Sequence, residues 1–191
     1  MNKLSTEKRM QVVAALVKGS SVNSTVRMTG VSKPTILKLF ADLGTACAKY
    51  QDEKLRNLSC KRVHADEIWS FCFAKDKNLS EEMKGKFGFG SVWTWTAICA
   101  DTKLMISWLV GCCGTRTHNV TGNPDGDHTS TSFAERMNLQ IRMDMRRFTR
   151  LTNAHSKKVE NHRHALSLYF MYYNFARIHS TLRVTQAMQQ E

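Results

Sequence analysis

HADEIWSF, residues 64–71, sets two adjacent carboxylates, Asp66 and Glu67, inside an apolar run of β-forming residues. A strand with one buried face alternates apolar and polar side chains and has no structural need for neighbouring acids. Two explanations compete. Either Asp66 is a strand-edge charge paired with a nearby basic residue, or the sheet holds it there to bind a metal.

The strand chemistry extends outward from this stretch. KRVHADEIWSFCF (61–73) and SVWTWTAICADTKLMISWLVG (91–111) are rich in β-branched and aromatic residues, with turn chemistry at Ala100 to Lys103. They predict three antiparallel strands over about 63–73, 90–100 and 103–110, with a basic excursion from Lys75 to Lys86 after the first. Trp69, Trp93, Trp95 and Trp108 are assigned to the sheet and core rather than to a base-stacking platform.

Upstream, residues 4–44 predict three short helices. Met10, Val13, Leu16 and Val17 recur at helical spacing before Gly19, and a second helix covers about Val22 to Met28. GVSKPTILKLF (30–40) then supplies a turn glycine, Ser32 as N-cap and Pro34 in the first turn, with Ile36, Leu39, Phe40 and Leu43 in one apolar stripe. Helix, helix, glycine turn and capped helix is the helix-turn-helix pattern. It presents Lys33, Thr35 and Lys38 outward, suited to a major groove and its phosphates. A plain three-helix module with solvated lysines is the alternative. Basic residues outnumber acidic ones twelve to four between Lys3 and Val63, which favours DNA. Residues 45–62, polar and basic, read as a helical linker.

The charge of the whole chain agrees. Its 191 residues carry a net +12, which implies a polyanionic partner, nucleic acid or an anionic membrane surface. No apolar run is long enough to span a membrane, and MNKLSTEKRM lacks the apolar core of a secretion signal, so a cytoplasmic location is expected. The six cysteines include no C-x-x-C pair and are expected to be reduced, most of them as small core residues. Cys60 and His64 would make half of a zinc site, but no second pair at suitable spacing accompanies them.

Residues 111–128 read as a long unpatterned loop, followed by two helices over about 132–150 and 156–178. Arg142, Arg146, Arg147 and Arg150 recur at spacings of three and four, and Lys157 and Lys158 follow; such a band suits phosphate contacts. Glu135, with Asn138 and Arg142 at i+3 and i+7 on its face, stands where a helix packed on the sheet would bring a second carboxylate toward Asp66. Two-metal phosphoryl chemistry needs several converging carboxylates, and magnesium favours such oxygen ligands. The plainer reading of Ser132-x-x-Glu135 is a capping box. The histidines at 155, 162, 164 and 179 form no H-E-x-x-H pattern and read as surface or packing residues.

HADEIW, GSVWTWTAICADTKLMISWLVG and the segment from GNPDGDHTSTSFAERMNLQIRMDMRRFTR onward together resemble the insertion-sequence-one family of bacterial DDE transposases, over essentially the whole chain. The resemblance implies an α+β or α/β fold: a helix-turn-helix domain (1–46), a basic linker (47–62) and an RNase H-like domain (63–183). It further implies Mg²⁺- or Mn²⁺-dependent cutting and joining of double-stranded DNA at element ends, with Asp66 and Glu135 as first and last acids of the triad. The family's middle aspartate, at the end of a fourth strand, has no counterpart here. Only about 20 residues separate the third strand from the next helix, whereas the missing elements need more than about 40. The chain therefore reads as an internally deleted transposase whose RNase H-like domain is truncated. Asp101, Asp125 and Asp127 are poor substitutes, the first at a hairpin turn and the others in a loop flanked by Gly and Pro. The expected activity is DNA binding with strand transfer impaired, or repression by a transposase-derived regulator. The truncation leaves one sheet face without its helix, which the 132–178 helix pair or a second copy in a homo-oligomer would cover.

Overall fold

A computed structural model of the chain describes residues 4–111, 132–149 and 154–189. It is an α+β arrangement: helices α1 (Thr6–Val17), α2 (Val22–Thr29) and α3 (Lys33–Lys54), strands β1 (Val63–Cys72), β2 (Gly90–Cys99) and β3 (Met105–Gly111), then α4 (Ser132–Asp144) and α5 (Val159–Phe175). Of the unpatterned segment 111–128, only Gly111 falls among the described residues.

The three strands form one antiparallel sheet in the order β1-β2-β3. Trp69 faces Trp93, and Asp66 faces Thr96. This register sends His64, Asp66, Ile68, Ser70 and Cys72 to one face and Glu67, Trp69 and Phe71 to the other. Helices α4 and α5 cover the first face. Ile68, Met105, Ile141, Phe148, Leu166 and Phe170 are almost wholly buried between them and the sheet. The other face carries the half-buried Trp69, Trp93 and Trp95, and Leu109 at 65% exposure. The downstream helix pair thus docks on one side only.

α2 ends in Gly30, whose φ of 69° is left-handed and whose N–H caps Val26 O at 2.9 Å. Ser32 is the N-cap of α3, although its hydroxyl bonds Thr35 Oγ1 at 2.8 Å instead of a helix amide.

Two expectations are corrected. The helical linker expected over 45–62 is, as far as Lys54, a continuation of the third helix, which runs 22 residues instead of ending near residue 44. Its face of Ile36, Phe40, Gly44, Cys47 and Gln51 stays buried, and the lower part packs on α5. Gln51 Nε2 donates to Ser167 O at 2.9 Å, and Ser167 Oγ donates to Gly44 O at 2.7 Å. Gly44 permits the close approach: a Cβ there would lie 2.5 Å from His164 Cβ. The first downstream helix, expected to reach 150, ends at Asp144 and gives way to a 3₁₀ turn over Arg146–Phe148. The Asp144 carboxylate accepts from Gln140, Tyr169 and Arg177, and the chain bends so that Met145 and Phe148 enter the core. The arginines are therefore not carried on one helical stripe.

Candidate functional site

Strand alternation points Asp66 inward, toward α4. There Asn138, 2% exposed, donates through Nδ2 to Asp66 Oδ2 at 2.7 Å and to Glu67 O at 3.3 Å. The Glu67 N–H donates to Asp66 Oδ1 at 2.8 Å. Asp66 is thus fixed by a strand amide and a helix amide, while its neighbour Glu67 points to the opposite face and is exposed. Glu135 stands one turn before Asn138 on α4 and is exposed. Asn138 Oδ1 is buried with no hydrogen-bond partner among the described residues. His64 packs on Phe133 (ring centroids 5.4 Å apart), and Lys103 Nζ sits 3.3 Å above the same ring.

The fit of this corner to the two magnesium ions that the transposase resemblance implies is poor. No group of three His, Cys, Asp or Glu that could hold a metal occurs among the described residues. Two-metal chemistry asks for several carboxylates around ions about 3.5–4 Å apart. Asp101, in the turn after β2 and paired with Arg62, lies five residues beyond Thr96, the partner of Asp66, past the end of the strand. Asp125 and Asp127 lie outside the described residues.

The basic residues converge elsewhere. A groove of about 740 Å³ opens between the α1–α2 turn with the start of α3 and the segments at 143–147 and 154–157. Lys18 and Lys33 line it from the N-terminal helices, Arg146, Arg147 and Lys157 from the downstream segments. Residues 124 positions apart in sequence, Lys33 and Lys157, thus share one cleft. Leu16, Phe40, Ala165 and Leu168 give it an apolar floor, and Ser20, Ser21 and Ser24 add hydroxyls. The acid that borders it, Asp144, already accepts from Tyr169 at 2.8 Å and Arg177 at 3.1 Å. Lys33, Thr35 and Lys38 are exposed at the start of α3, as are Arg146, Lys157 and Lys158; Arg142 is half-buried. Arg150 lies outside the described residues.

Arg147 lines the groove and is held there by a hydrogen bond to the neighbouring segment. It is half-buried, its Nη1 donates to Ser156 Oγ at 2.7 Å, and burial lowers its pKa to about 10, so it remains charged at neutral pH. Sequence reasoning missed two residues of these sites. Lys18, whose Nζ lies 5.5 Å from the Tyr172 ring centroid, joins the groove only because α1 packs near α5. Asn138 shared a predicted helical face with Glu135, yet nothing in the sequence marks it as the partner of Asp66.

Beneath the groove, His162 is wholly buried, with Nε2 3.4 Å from Ser70 Oγ and Phe148 against its ring at 5.2 Å. Burial, reinforced by the Arg147 charge, pushes its pKa down to about 3. The folded protein keeps His162 neutral where the unfolded chain protonates it near the ordinary value of 6.5. The unfolded state therefore binds the extra proton, and stability falls as pH drops from about 6.5 toward 3, by up to about 1.4 kcal/mol per pH unit. Denaturant midpoints at pH 6.5 and 4.5 should show this fall, and His162→Leu should flatten it. An equal slope in both proteins would exclude His162 as its source.

No family model, curated protein or solved structure matches the chain.

Proposed function

We propose that this protein binds double-stranded DNA as a truncated transposase of the insertion-sequence-one kind, with strand transfer lost or severely impaired in the chain acting alone. The observation that carries the reading is the shared cleft: Lys33, at the start of α3, lines one groove together with Arg146 and Lys157 in a chain of net charge +12. Such a surface holds phosphates of a single duplex from two sides. Support for a helix-turn-helix at the N-terminus comes from α2, the left-handed Gly30 and the exposed Lys33, Thr35 and Lys38. Support for a reduced RNase H-like domain comes from Asp66 on the first strand, facing a helix that bears Glu135 and Asn138. Asp66 and Glu135 are the residues that would hold Mg²⁺ or Mn²⁺, but the described donors fall short of a two-metal set. The half-buried tryptophan face of the sheet, with Leu109 exposed on it, suits association with a second copy, which light scattering would detect as a concentration-dependent mass.

Fluorescence anisotropy with a labelled duplex tests the reading. With about six phosphate contacts, affinity should fall by about 10³ between 50 and 200 mM salt and be the same with or without Mg²⁺. A supercoiled plasmid should stay uncut in Mg²⁺ or Mn²⁺. Nicking that Asp66→Asn abolishes would instead establish an active transposase. A transposase-derived repressor is the second reading, favoured by the firm packing of α3 on α5, which makes the DNA-facing helix part of one rigid unit. Tight, sequence-selective binding without cleavage would distinguish it.

A further inference from the structure

The connection between α3 and β1 brings Cys60 beside the end of β2. Val63 is the register partner of Cys99, and the Ala100 N–H donates to Arg62 O at 2.9 Å. The Arg62 guanidinium pairs with the Asp101 carboxylate on the same corner. Within this pinned frame the Cys60 and Cys99 thiols hydrogen-bond to one another. Both are unbridged.

The two sulfurs are unequal. Cys60 is half-buried, while Cys99 is 1% exposed. Burial raises the Cys60 thiol to about 11, helped by its hydrogen bond to Cys99 and the charge of Asp101. Burial opposes ionisation at Cys99 too. There, hydrogen bonds from the Thr102 hydroxyl and amide, the Asp101 amide and the Cys60 thiol outweigh it, so its pKa is lowered. One sulfur can be reached and the other is prepared to attack, the division of labour that a resolving pair requires. Cys47 and Cys72 are buried elsewhere and do not take part.

We propose that Cys60 and Cys99 are a dithiol that closes into a reversible disulfide, locking the α3–β1 connection onto the end of β2. The oxidant class is a low-molecular-weight disulfide. Cys60 attacks it as its thiolate, the minor form at neutral pH, expelling one thiolate and leaving a mixed disulfide on Cys60; the proton that Cys60 gave up passes to the departing thiolate. Cys99 thiolate then attacks the Cys60 sulfur, forming the Cys60–Cys99 bond and expelling the second thiolate, which takes up the proton Cys99 has lost. The protein gives up two electrons and two protons, and the oxidant is reduced to two thiols. The α3–β1 connection already runs beside the end of β2 and the two thiols already interact, so closure to a bond of about 2.05 Å joins neighbouring segments.

The test uses the full chain incubated with oxidised glutathione, free thiols blocked with iodoacetamide, and proteolytic peptides mapped by mass spectrometry. The expected product is a Cys60–Cys99 cross-link that dithiothreitol reverses, with a thermal midpoint raised by about 5–15 °C in the oxidised form. Cys60→Ser should abolish the cross-link, whereas Cys112→Ser with Cys113→Ser should leave it intact. Cys60 and Cys99 both recovered as blocked free thiols would overturn the proposal. So would a glutathione adduct persisting on Cys60, or a cross-link running to another cysteine.

Discussion

Replacing Gly44 by alanine is expected to lower the thermal midpoint by about 5–15 °C, a cost of roughly 2–4 kcal/mol. The sign is what makes the experiment informative. Gly44 lies inside the 22-residue α3, and in an open helix interior Gly→Ala stabilises by about 1 kcal/mol. Here the new methyl would sit 2.5 Å from His164 Cβ and 2.7 Å from His164 Cα, and the second of these is backbone that no rotamer change can move. α3 and α5 would have to separate. Separation stretches the buried bonds Ser167 Oγ to Gly44 O (2.7 Å) and Gln51 Nε2 to Ser167 O (2.9 Å), and a buried polar group left unpaired costs about 1–3 kcal/mol. A stabilised Gly44→Ala protein would show that the two helices do not meet at this distance. DNA affinity should drop with the packing, because the same contact holds α3, which begins at Lys33, against α5, which follows Lys157.

The second large effect is on binding. Lys33→Ala, Arg146→Ala and Lys157→Ala combined should weaken duplex binding by on the order of 10²-fold at 100 mM salt and reduce the log–log salt slope by about 3, equally for all sequences. Lys49→Ala is the control. Lys49 is on the same long helix, but it is exposed, 3.8 Å from Glu53, and outside the groove. If Lys49→Ala costs as much as a groove substitution, binding reflects net charge alone and the cleft has no special role.

Much of the scaffold was legible because its signals are strong ones. β1, β2 and β3 fall within about two residues of the spans expected from alternating β-branched and aromatic residues. α2 and the start of α3 follow from Gly30 and Ser32. The lower half of α3 was illegible as a buried helix since the face it buries is made of Gly44, Cys47 and Gln51, which no hydrophobic pattern marks. Gln51 is tolerated there only because its amide finds the Cys47 and Ser167 carbonyls. The arginine spacing misled for a related reason: three-and-four periodicity persists past Asp144, but burial of Met145 and Phe148 and the carboxylate's three partners end the helix there. At the Asp66 corner, strand position was readable from one line of residues. Its Asn138 partner depends on how α4 lies across the sheet, which local sequence does not encode.

Hydrogen exchange of the full chain, free and saturated with a duplex, decides whether the N-terminal helices and the downstream basic segments hold DNA together. DNA should slow exchange together at the α1–α2 turn, the first turns of α3, and the segments 143–147 and 154–158, at one DNA concentration and with no dependence on Mg²⁺. Protection confined to α2 and α3, with segments 143–147 and 154–158 unchanged, would mean that the helices bind DNA alone and that the groove is a feature of packing.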